Sequence, residues 1–505
     1  MTQRRFTALA LCAIVVLGCA LRLYHIRDPI LDHPGWRQGD QAAIARNFAQ
    51  LQNNIFYPQV DYDGPPPNYI ELELQIVPFT AAQLYHVVGV HPIAGRLIVM
   101  LFSLATIGLV YFLGAALASR RAGLIAALLL AIAPGAVYYG RTFTPDSVMV
   151  CFMVATLLFW WRWCEQRRTT DFMLAFVFGA LAWLAKPPAL LILAPVVAVL
   201  FARRGWRAAL TDWSLYAFLA GTLLPFALYF RHVRAIAEWH WFSGITQKHV
   251  LPTLAHELSS PGALLAGIRS TFELMTMLST TILGPVLFAL VLLSVLVLVV
   301  FRAPDESTDQ HVLAWLFVSW FAVLCVYAFV VVNVERVDYY LLPWLPPAVL
   351  LAGIAGERVL DAFGARRMSA WACATLAVII FFTAYANMLE IHPYYTWSRK
   401  VYAWAQSLDR TLAAGSIVVM GHYGPDVLYL IDRKGWEEDP LVWTPFDMES
   451  AVRKGARYYI AVEPERLKAN RELYTYLQRF QQIPTSTGWP VYDMSRPRPI
   501  PGSAH

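Results

Sequence analysis

The chain has 505 residues, of which 58% are hydrophobic and 15% are charged, and its formal net charge is +6. Soluble domains carry about 25% charged residues. This composition and the mean hydropathy of +0.48 therefore exclude an ordinary soluble protein and indicate a polytopic membrane protein. The positive charge predicts no nucleic-acid partner, because the cytoplasmic loops of membrane proteins collect Lys and Arg.

The first 20 residues carry Arg4 and Arg5 before an apolar run, as a signal peptide does. No soluble domain follows, so a membrane anchor explains the run better than cleavage. The six cysteines lie in or at the ends of apolar runs and show no CxxC or Cys/His spacing. Neither a disulfide framework nor a zinc site is predicted.

Apolar runs long enough to cross about 30 Å of hydrocarbon predict eleven membrane spans. They lie near 6–21, 92–118, 122–140, 147–164, 171–185, 188–202, 212–231, 276–301, 311–333, 341–357 and 370–389. With this count the basic clusters all fall on the N-terminal side, which the positive-inside rule makes cytoplasmic. These clusters include Arg120 and Arg121, Arg203 and Arg204, Arg302, and Arg366 and Arg367. Segment 75–90 would break the parity, so we predict a helix lying on the membrane surface.

The opposite face receives a long first loop over 22–91, two shorter loops and the C-terminal region. Residues 1–390 form the predicted membrane domain, and residues 391–505 form a predicted soluble α/β domain. In this second domain, helices are expected over 398–412, 426–432, 448–455 and 463–480, and strands over 416–420, 458–462 and 491–493.

Asp40 is the main candidate for chemistry on this face. It follows Trp36, Arg37, Gln38 and Gly39 and precedes a predicted helix over 42–50. An acid in this position can simply cap the helix or favour its positive end. With Arg37 beside it at the membrane surface, its carboxylate could instead accept a proton from a nucleophilic hydroxyl or amine.

A second acid, Asp146, begins a predicted span and lies five residues after Arg141. The same capping interpretation applies, and the spacing also permits an ion pair with Arg141. Lys186 and Arg336 lie at span ends on the same face. Each is either a side chain reaching the interface or a cation for a lipid phosphate. Glu73 either faces the site or lies on the polar side of the surface helix.

These motifs resemble the GT-C membrane glycosyltransferases, and most closely the bacterial branch of the protein O-mannosyltransferase superfamily, which includes lipid A aminoarabinose and galacturonic acid transferases. The resemblance covers about residues 1–390. The matching motifs are the Arg37/Asp40 unit, Arg141 to Asp146, Lys186-Pro187, and Arg336 to Pro343 with Tyr339 and Tyr340.

The resemblance implies a mainly α fold of GT-C type and a glycosyltransferase of the bacterial inner membrane. Such enzymes move a hexosyl or pentosyl group, with inversion, from a polyprenyl-phosphate donor to a lipid, glycan or protein acceptor on the periplasmic face. It implies catalytic roles for Asp40 and Asp146. It also implies substrate binding by Arg37, Glu73, Arg141, Lys186, Arg336, Tyr339 and Tyr340.

One motif departs from the family. Many relatives carry Lys-Pro-Pro near the end of loop one, where the lysine holds the donor phosphate, whereas this chain has Gly64, Pro65, Pro66 and Pro67. Another cation must hold the phosphate, or the donor differs. No cofactor is implied, although Asp40 and Asp146 could form a divalent metal site.

Two alternatives to the enzyme stay open at this point. A lipid-linked sugar transporter or flippase would place charged groups near mid-span and often show paired repeats, whereas the charges here lie at span ends and no repeat is visible. A receptor or assembly subunit would depend on the C-terminal domain for partner binding.

Overall fold

The structure, a computed structural model, describes residues 3–300, 308–362 and 370–498. Within these ranges seven helices are long and apolar enough to cross a membrane. They span Gln3–Arg22, Ile93–Leu117, Asp146–Gln166, Pro187–Arg204, Trp213–Ile236, Gln310–Glu335 and Asp338–Ala362. An eighth candidate is a pair of helices, Pro261–Ile282 and Pro285–Leu298, bent by 118°. The predicted polytopic, mainly helical fold is confirmed.

The other three predicted spans are also helical. They correspond to Arg120–Ile132 with Pro134–Tyr138, to Thr169–Ala185 and to Ala370–Ile391. The first is interrupted at Ala133, which is extended because the following proline disfavours the α conformation. Of the predicted basic clusters, Arg302, Arg366 and Arg367 lie outside the described residues.

Short helices surround loop one at one end of the membrane helices. They are Gly35–Gln50, Ile76–Val88, Trp241–Ile245, Leu251–Glu257 and Pro261–Met277. The predicted surface helix over 75–90 is present as Ile76–Val88 with 13 residues. A helix of this length extends only about 20 Å and is too short to cross the bilayer. It packs against Gly35–Gln50, where the ring centroids of Phe48 and Phe79 lie 5.5 Å apart.

The C-terminal region forms a five-stranded sheet with helices around it. The strands are β1 Ile417–Met420, β2 Lys434–Glu437, β3 Ala456–Ile460, β4 Phe480–Ile483 and β5 Val491–Pro497. Their order is β2-β1-β3-β5-β4, with β1 parallel to β2 and β3, and β5 antiparallel to β3 and β4. The helices are Arg399–Thr411, Pro425–Leu430, Pro445–Arg453, Pro464–Ala469 and Arg471–Leu477.

Three predicted strands are thus present, and two strands were missed. In β2 the sequence Lys-Gly-Trp-Glu lacks the apolar run expected of a buried strand. Gly435 in this strand has φ +153°, and a Cβ there would lie 1.7 Å from the Val418 carbonyl oxygen. Close approach of β2 to β1 therefore requires glycine at this position.

The C-terminal sheet and loop one share a hydrophobic core. Ile44 and Phe48 of loop one pack in the same buried cluster as Val418 and Met420 of β1. Backbone hydrogen bonds reinforce the contact, since the Gly64 N–H donates to the Gly435 carbonyl at 2.7 Å. The predicted domain boundary at 390 therefore separates two parts of the chain that are packed against each other.

Candidate active site

Helix Gly35–Gln50 carries the Arg37/Asp40 unit. Because the helix begins at Gly35 after Pro34, Asp40 lies within it and not at its N-cap. The simple capping interpretation of Asp40 is therefore wrong. Gly39 lets the helix approach the C-terminal domain closely, since a Cβ there would lie 2.8 Å from the Asp426 backbone. Arg37 and Asp40, three residues apart, share one face of the helix.

Arg37 lies between two buried carboxylates. Its Nη2 donates to Glu73, and its Nη1 lies 3.6 Å from the Asp40 Oδ2. Burial raises the pKa of Asp40 to about 7 and outweighs the opposing effect of Arg37. Burial opposes the charged form of Arg37 as well, but Glu73 and Asp40 raise its pKa above the usual value. Asp40 is consequently a carboxyl group able to exchange a proton near neutral pH.

A second ion pair joins Lys186 to Asp146. The Lys186 Nζ lies 2.6 Å from the Asp146 Oδ1, and it sits 4.7 and 4.8 Å from the ring centroids of Tyr339 and Tyr340. Lys186 is placed there by the break between helix Thr169–Ala185 and the 3₁₀ turn Pro187–Ile192. Both Asp40 and Asp146 interact electrostatically with Arg37. The two predicted acids therefore belong to one site.

These side chains surround a cavity of about 530 Å³. Its polar end contains the predicted residues Arg37, Asp40, Glu73, Lys186, Tyr339 and Tyr340. Its walls also contain a set of apolar residues, which are Leu190, Leu191, Val250, Leu251, Val330 and Val331. The cavity thus joins a charged pocket to a hydrophobic groove. This combination suits a ligand with an anionic head and a hydrocarbon tail.

Arg141 does not reach this cavity. Its Nη2 lies 2.7 Å from the Asp32 Oδ2, and Tyr138 and Tyr395 place their rings against its guanidinium. The ion pair that the spacing permitted between Arg141 and Asp146 is therefore not formed. Arg141 lies in the turn before the helix and faces Asp32, whereas Asp146 faces Lys186.

Arg336 also lies apart from the cavity. It follows the short helix Asn333–Glu335 in the left-handed conformation, with φ +49°. Its Nη2 lies 2.6 Å from the Ser270 Oγ and 3.1 Å from the Glu273 Oε2, and nearly half of its side chain is exposed. The structure therefore places Arg336 on the surface, beside the mouth of the site and not within it.

Sequence reasoning missed Tyr62 and Glu437. Tyr62 lines the cavity, and burial raises the pKa of its hydroxyl, with further contributions from Asp40 and Glu437. Nothing near Tyr62 in the sequence marks it out from the other aromatic residues of loop one. Within the described ranges, no group of three or more His, Cys, Asp or Glu side chains is placed to hold a metal ion.

Comparisons with known proteins agree with this architecture. The sequence profile of a family described as dolichyl-phosphate-mannose-protein mannosyltransferase matches residues 76–230. No curated protein matches the chain in sequence. ArnT from Cupriavidus metallidurans has a similar structure in the apo state, with a TM-score of 0.63 and 15% identity over 97% of this chain and 99% of ArnT.

ArnT bound to undecaprenyl phosphate matches with a TM-score of 0.64 and 14% identity, over 99% of this chain and 100% of ArnT. The apo oligosaccharyltransferase of Archaeoglobus fulgidus matches with a TM-score of 0.59 and 11% identity, over 95% of this chain and 73% of that protein. At these identities the structural likeness shows the fold. Together with the family match, it confirms the predicted resemblance.

Proposed function

We propose that this chain, a polytopic membrane protein of the GT-C glycosyltransferase class, transfers a sugar from a polyprenyl-phosphate carrier to a lipid, glycan or protein acceptor. The observation that carries the proposal is the single cavity that joins Asp40, Arg37 and Lys186 to an apolar groove. We place the cavity on the periplasmic face of the bacterial inner membrane, following the distribution of arginines in the loops.

The donor lipid occupies the apolar part of the cavity. Its tail lies along Leu190, Leu191 and Val331, where burial contributes about 0.8 kcal/mol per CH₂ group. Its phosphate then lies at the polar end, near Lys186 and Arg37. These two cations take the place of the lysine that is absent from the end of loop one. Undecaprenyl phosphate is the lipid bound in one of the ArnT structures.

Asp40 acts as the general base. The acceptor O–H or N–H gives its proton to the Asp40 carboxylate while its oxygen or nitrogen attacks the anomeric carbon. The bond from that carbon to the phosphate oxygen breaks, and the electron pair leaves with the polyprenyl phosphate. Attack opposite the leaving group inverts the configuration. Because no covalent sugar–enzyme intermediate is needed, one base is sufficient.

Lys186 and Arg37 stabilise the negative charge that grows on the phosphate. A buried cation is effective here because the site is largely shielded from water. Asp146 and Glu73 act through these cations, since Asp146 holds Lys186 and Glu73 holds Arg37. We therefore assign Asp146 a positioning role, whereas the resemblance implied a catalytic one. Tyr339 and Tyr340 shape the wall around Lys186.

The test is to incubate the purified protein with a panel of polyprenyl-phosphate sugars, with water as the surrogate acceptor of the sugar, and to measure released polyprenyl phosphate. We expect release from at least one donor and its loss in the Asp40→Asn variant. The control variant is Asp361→Asn, since Asp361 is 60% exposed and pairs with Arg121 at another surface. A transporter would instead move the sugar lipid across vesicles without releasing polyprenyl phosphate, and this outcome would contradict the proposal.

A further inference from the structure

The carboxyl ends of the three parallel strands meet at one edge of the C-terminal sheet. His422 follows β1, Glu437 ends β2, and Glu463 follows β3. Open parallel sheets commonly bind ligands at this edge. Here it is turned toward the membrane domain, because the Asp426 segment packs on Gly39 and β2 pairs with Gly64 of loop one.

The side chains at this junction are mostly acidic. We call the group the acidic edge, and it comprises Asp63, Asp426, Glu437 and Glu438. Glu437 interacts electrostatically with the other three and also with Asp40. The acidic edge therefore lies beside the charged end of the cavity. The basic side chain of His422 contacts the acidic edge. Its Nε2 lies 3.8 Å from the Asp426 Oδ1, and its Nδ1 lies 2.6 Å from the Glu463 Oε1.

Two buried carboxylate oxygens, one in the acidic edge and one in Asp40 beside it, point to a missing partner. Glu437 is 7% exposed, and its Oε2 has no hydrogen-bond partner among the residues that the structure describes. Asp40 is 4% exposed and its Oδ1 has none. Burying a carboxylate without a partner is costly, so such a group calls for an explanation, such as a catalytic role or a bound ion or ligand.

The pKa values of the acids at this edge are raised first by burial and then by their acidic neighbours. Burial raises the pKa of Glu437, and Asp40 and Asp63 raise it further. Burial and the neighbouring acids also raise the pKa of Glu438 to about 8 and that of Asp63 to about 7. A cation entering among these groups would lower all three values and release protons. By contrast, Glu73, which lines the cavity, and Asp146, which pairs with the cavity residue Lys186, each have a basic partner.

We propose that the acidic edge binds a positively charged group of the acceptor, such as a protonated amine, and so holds the acceptor nucleophile beside Asp40. This inference rests on the proposed function, of which it names the acceptor chemistry. The donor phosphate cannot occupy the acidic edge, because carboxylates repel it. It lies instead on the Lys186 side of Asp40, where the apolar groove begins. Tyr62, which interacts with both Asp40 and Glu437, joins the two halves of the site.

Binding is tested directly on the full-length protein in detergent by isothermal titration calorimetry. The probes are a tetrasaccharide of glucosamine and its fully N-acetylated counterpart, which share a backbone and differ in charge. We expect the cationic sugar to bind at least about tenfold more tightly than the neutral one, and Glu437→Gln to remove most of that difference. Equal binding of the two sugars would overturn the inference.

A matched control separates local from general charge effects. Glu465→Gln removes one acid from the same domain, but the Glu465 side chain is 82% exposed and pairs with Lys468. We expect it to bind both sugars as the wild type does. If Glu437→Gln fails to fold, Glu438→Gln serves as the second variant, since Glu438 is only half-buried. An unchanged preference in a folded variant at either position overturns the inference.

The same variants distinguish this inference from the proposed function. Donor cleavage with water as the nucleophile, measured without an acceptor, should be unchanged within about twofold in Glu465→Gln. In Glu437→Gln, transfer to an amine-bearing acceptor should show a raised KM with little change in kcat. If the wild type cleaves no donor but binds the cationic sugar through Glu437, the proposed function fails while the binding site stands. If it cleaves donors without any preference for cationic acceptors, only the acidic edge is refuted.

Discussion

Two buried groups of charges lie at the end of the membrane domain that carries loop one, and they differ in what surrounds them. In the first group, Asp32 pairs with Arg96 and Arg141, all of them 0% exposed. In the second group, Arg37 and Lys186 pair with acids but also line a cavity of about 530 Å³. The first group is enclosed by protein on all sides, and we call it the closed group. The second is open to a ligand, and we call it the open group.

The partners of the closed group explain its role. Besides Asp32, Arg96 donates to the backbone carbonyl of Asp28 at 2.5 Å and to the side chain of Gln38. Gln38 also lies in helix Gly35–Gln50. The closed group therefore fixes loop one and the base of that helix against helix Ile93–Leu117. The open group uses the same helix to present Asp40. Acid–arginine pairs thus build the scaffold in one place and, by our proposal, perform the chemistry in the other.

Asp40→Asn tests the open group most strongly. We expect transfer to fall by about 10²–10⁴-fold, the usual contribution of a general base. The amide keeps the shape of the side chain and removes a buried charge, so the thermal midpoint in detergent should be unchanged or higher. Rates of sugar transfer and thermal unfolding are both measured. Full activity in a folded variant would exclude Asp40 as the base.

Arg141→Met tests the closed group. Removing one partner of a buried ion pair costs about 3–5 kcal/mol, and here it also removes the contacts of the guanidinium with Tyr138 and Tyr395. We expect a large loss of folded protein, measured as the thermal midpoint and the yield after purification. The activity of the remaining folded fraction should stay within a fewfold of wild type. If the variant were as stable as wild type but had lost transfer, Arg141 would instead have the substrate-binding role that the resemblance implied.

The Lys186→Gln variant tests whether transfer needs the positive charge of Lys186 or only its contact with Asp146. The amide can still donate to Asp146, but it cannot stabilise a developing phosphate charge. Loss of one such stabilising group typically costs about 10²–10³-fold in kcat. Lys186→Arg, which keeps the positive charge, should recover part of the rate. Equal rates for the Gln and Arg variants would show that the charge of Lys186 has no part in the reaction.

The pH dependence follows from burial of Asp40. Its pKa is raised to about 7, and only the ionised form can accept a proton. The rate of transfer should therefore be full above pH 7 and fall as the pH drops through this value, by about tenfold per unit. A profile of kcat/KM for the acceptor between pH 5 and 9 measures this. A fall seen only near pH 4 would mean that the bound substrates restore the ordinary carboxyl pKa.

The helices were largely predictable from the sequence, because a bilayer demands long apolar runs whose length is set by its thickness. The run at 370–389 became Ala370–Ile391, and that at 92–118 became Ile93–Leu117. Segment 398–412 was equally clear as Arg399–Thr411, since one of its faces is apolar. Such patterns depend only on neighbours along the chain.

The composition of the site was predictable only in part. The position of Asp40 and Arg37 on one helix face follows from local spacing. The partner of Asp146 depends instead on where Lys186 is placed by a helix break many residues later. The five-residue spacing permitted a pair with Arg141, which pairs with Asp32 instead. Glu437 was missed because its approach to Asp40 depends on the contact between β2 and Gly64. Contacts of this kind carry no signal in either segment alone.

Arg336→Ala should have the smallest effect and defines the limit of the open group. Arg336 interacts with Glu273, whose side chain is 61% exposed, and with Ser270. Exposed ion pairs contribute about 0–1 kcal/mol, so the thermal midpoint should barely change. Because Arg336 does not line the cavity, transfer should stay within about twofold of wild type. A loss of a hundredfold with a folded protein would mean that loop 333–340 moves during the reaction and brings this arginine to the donor phosphate, which would extend the open group beyond the residues that now surround it.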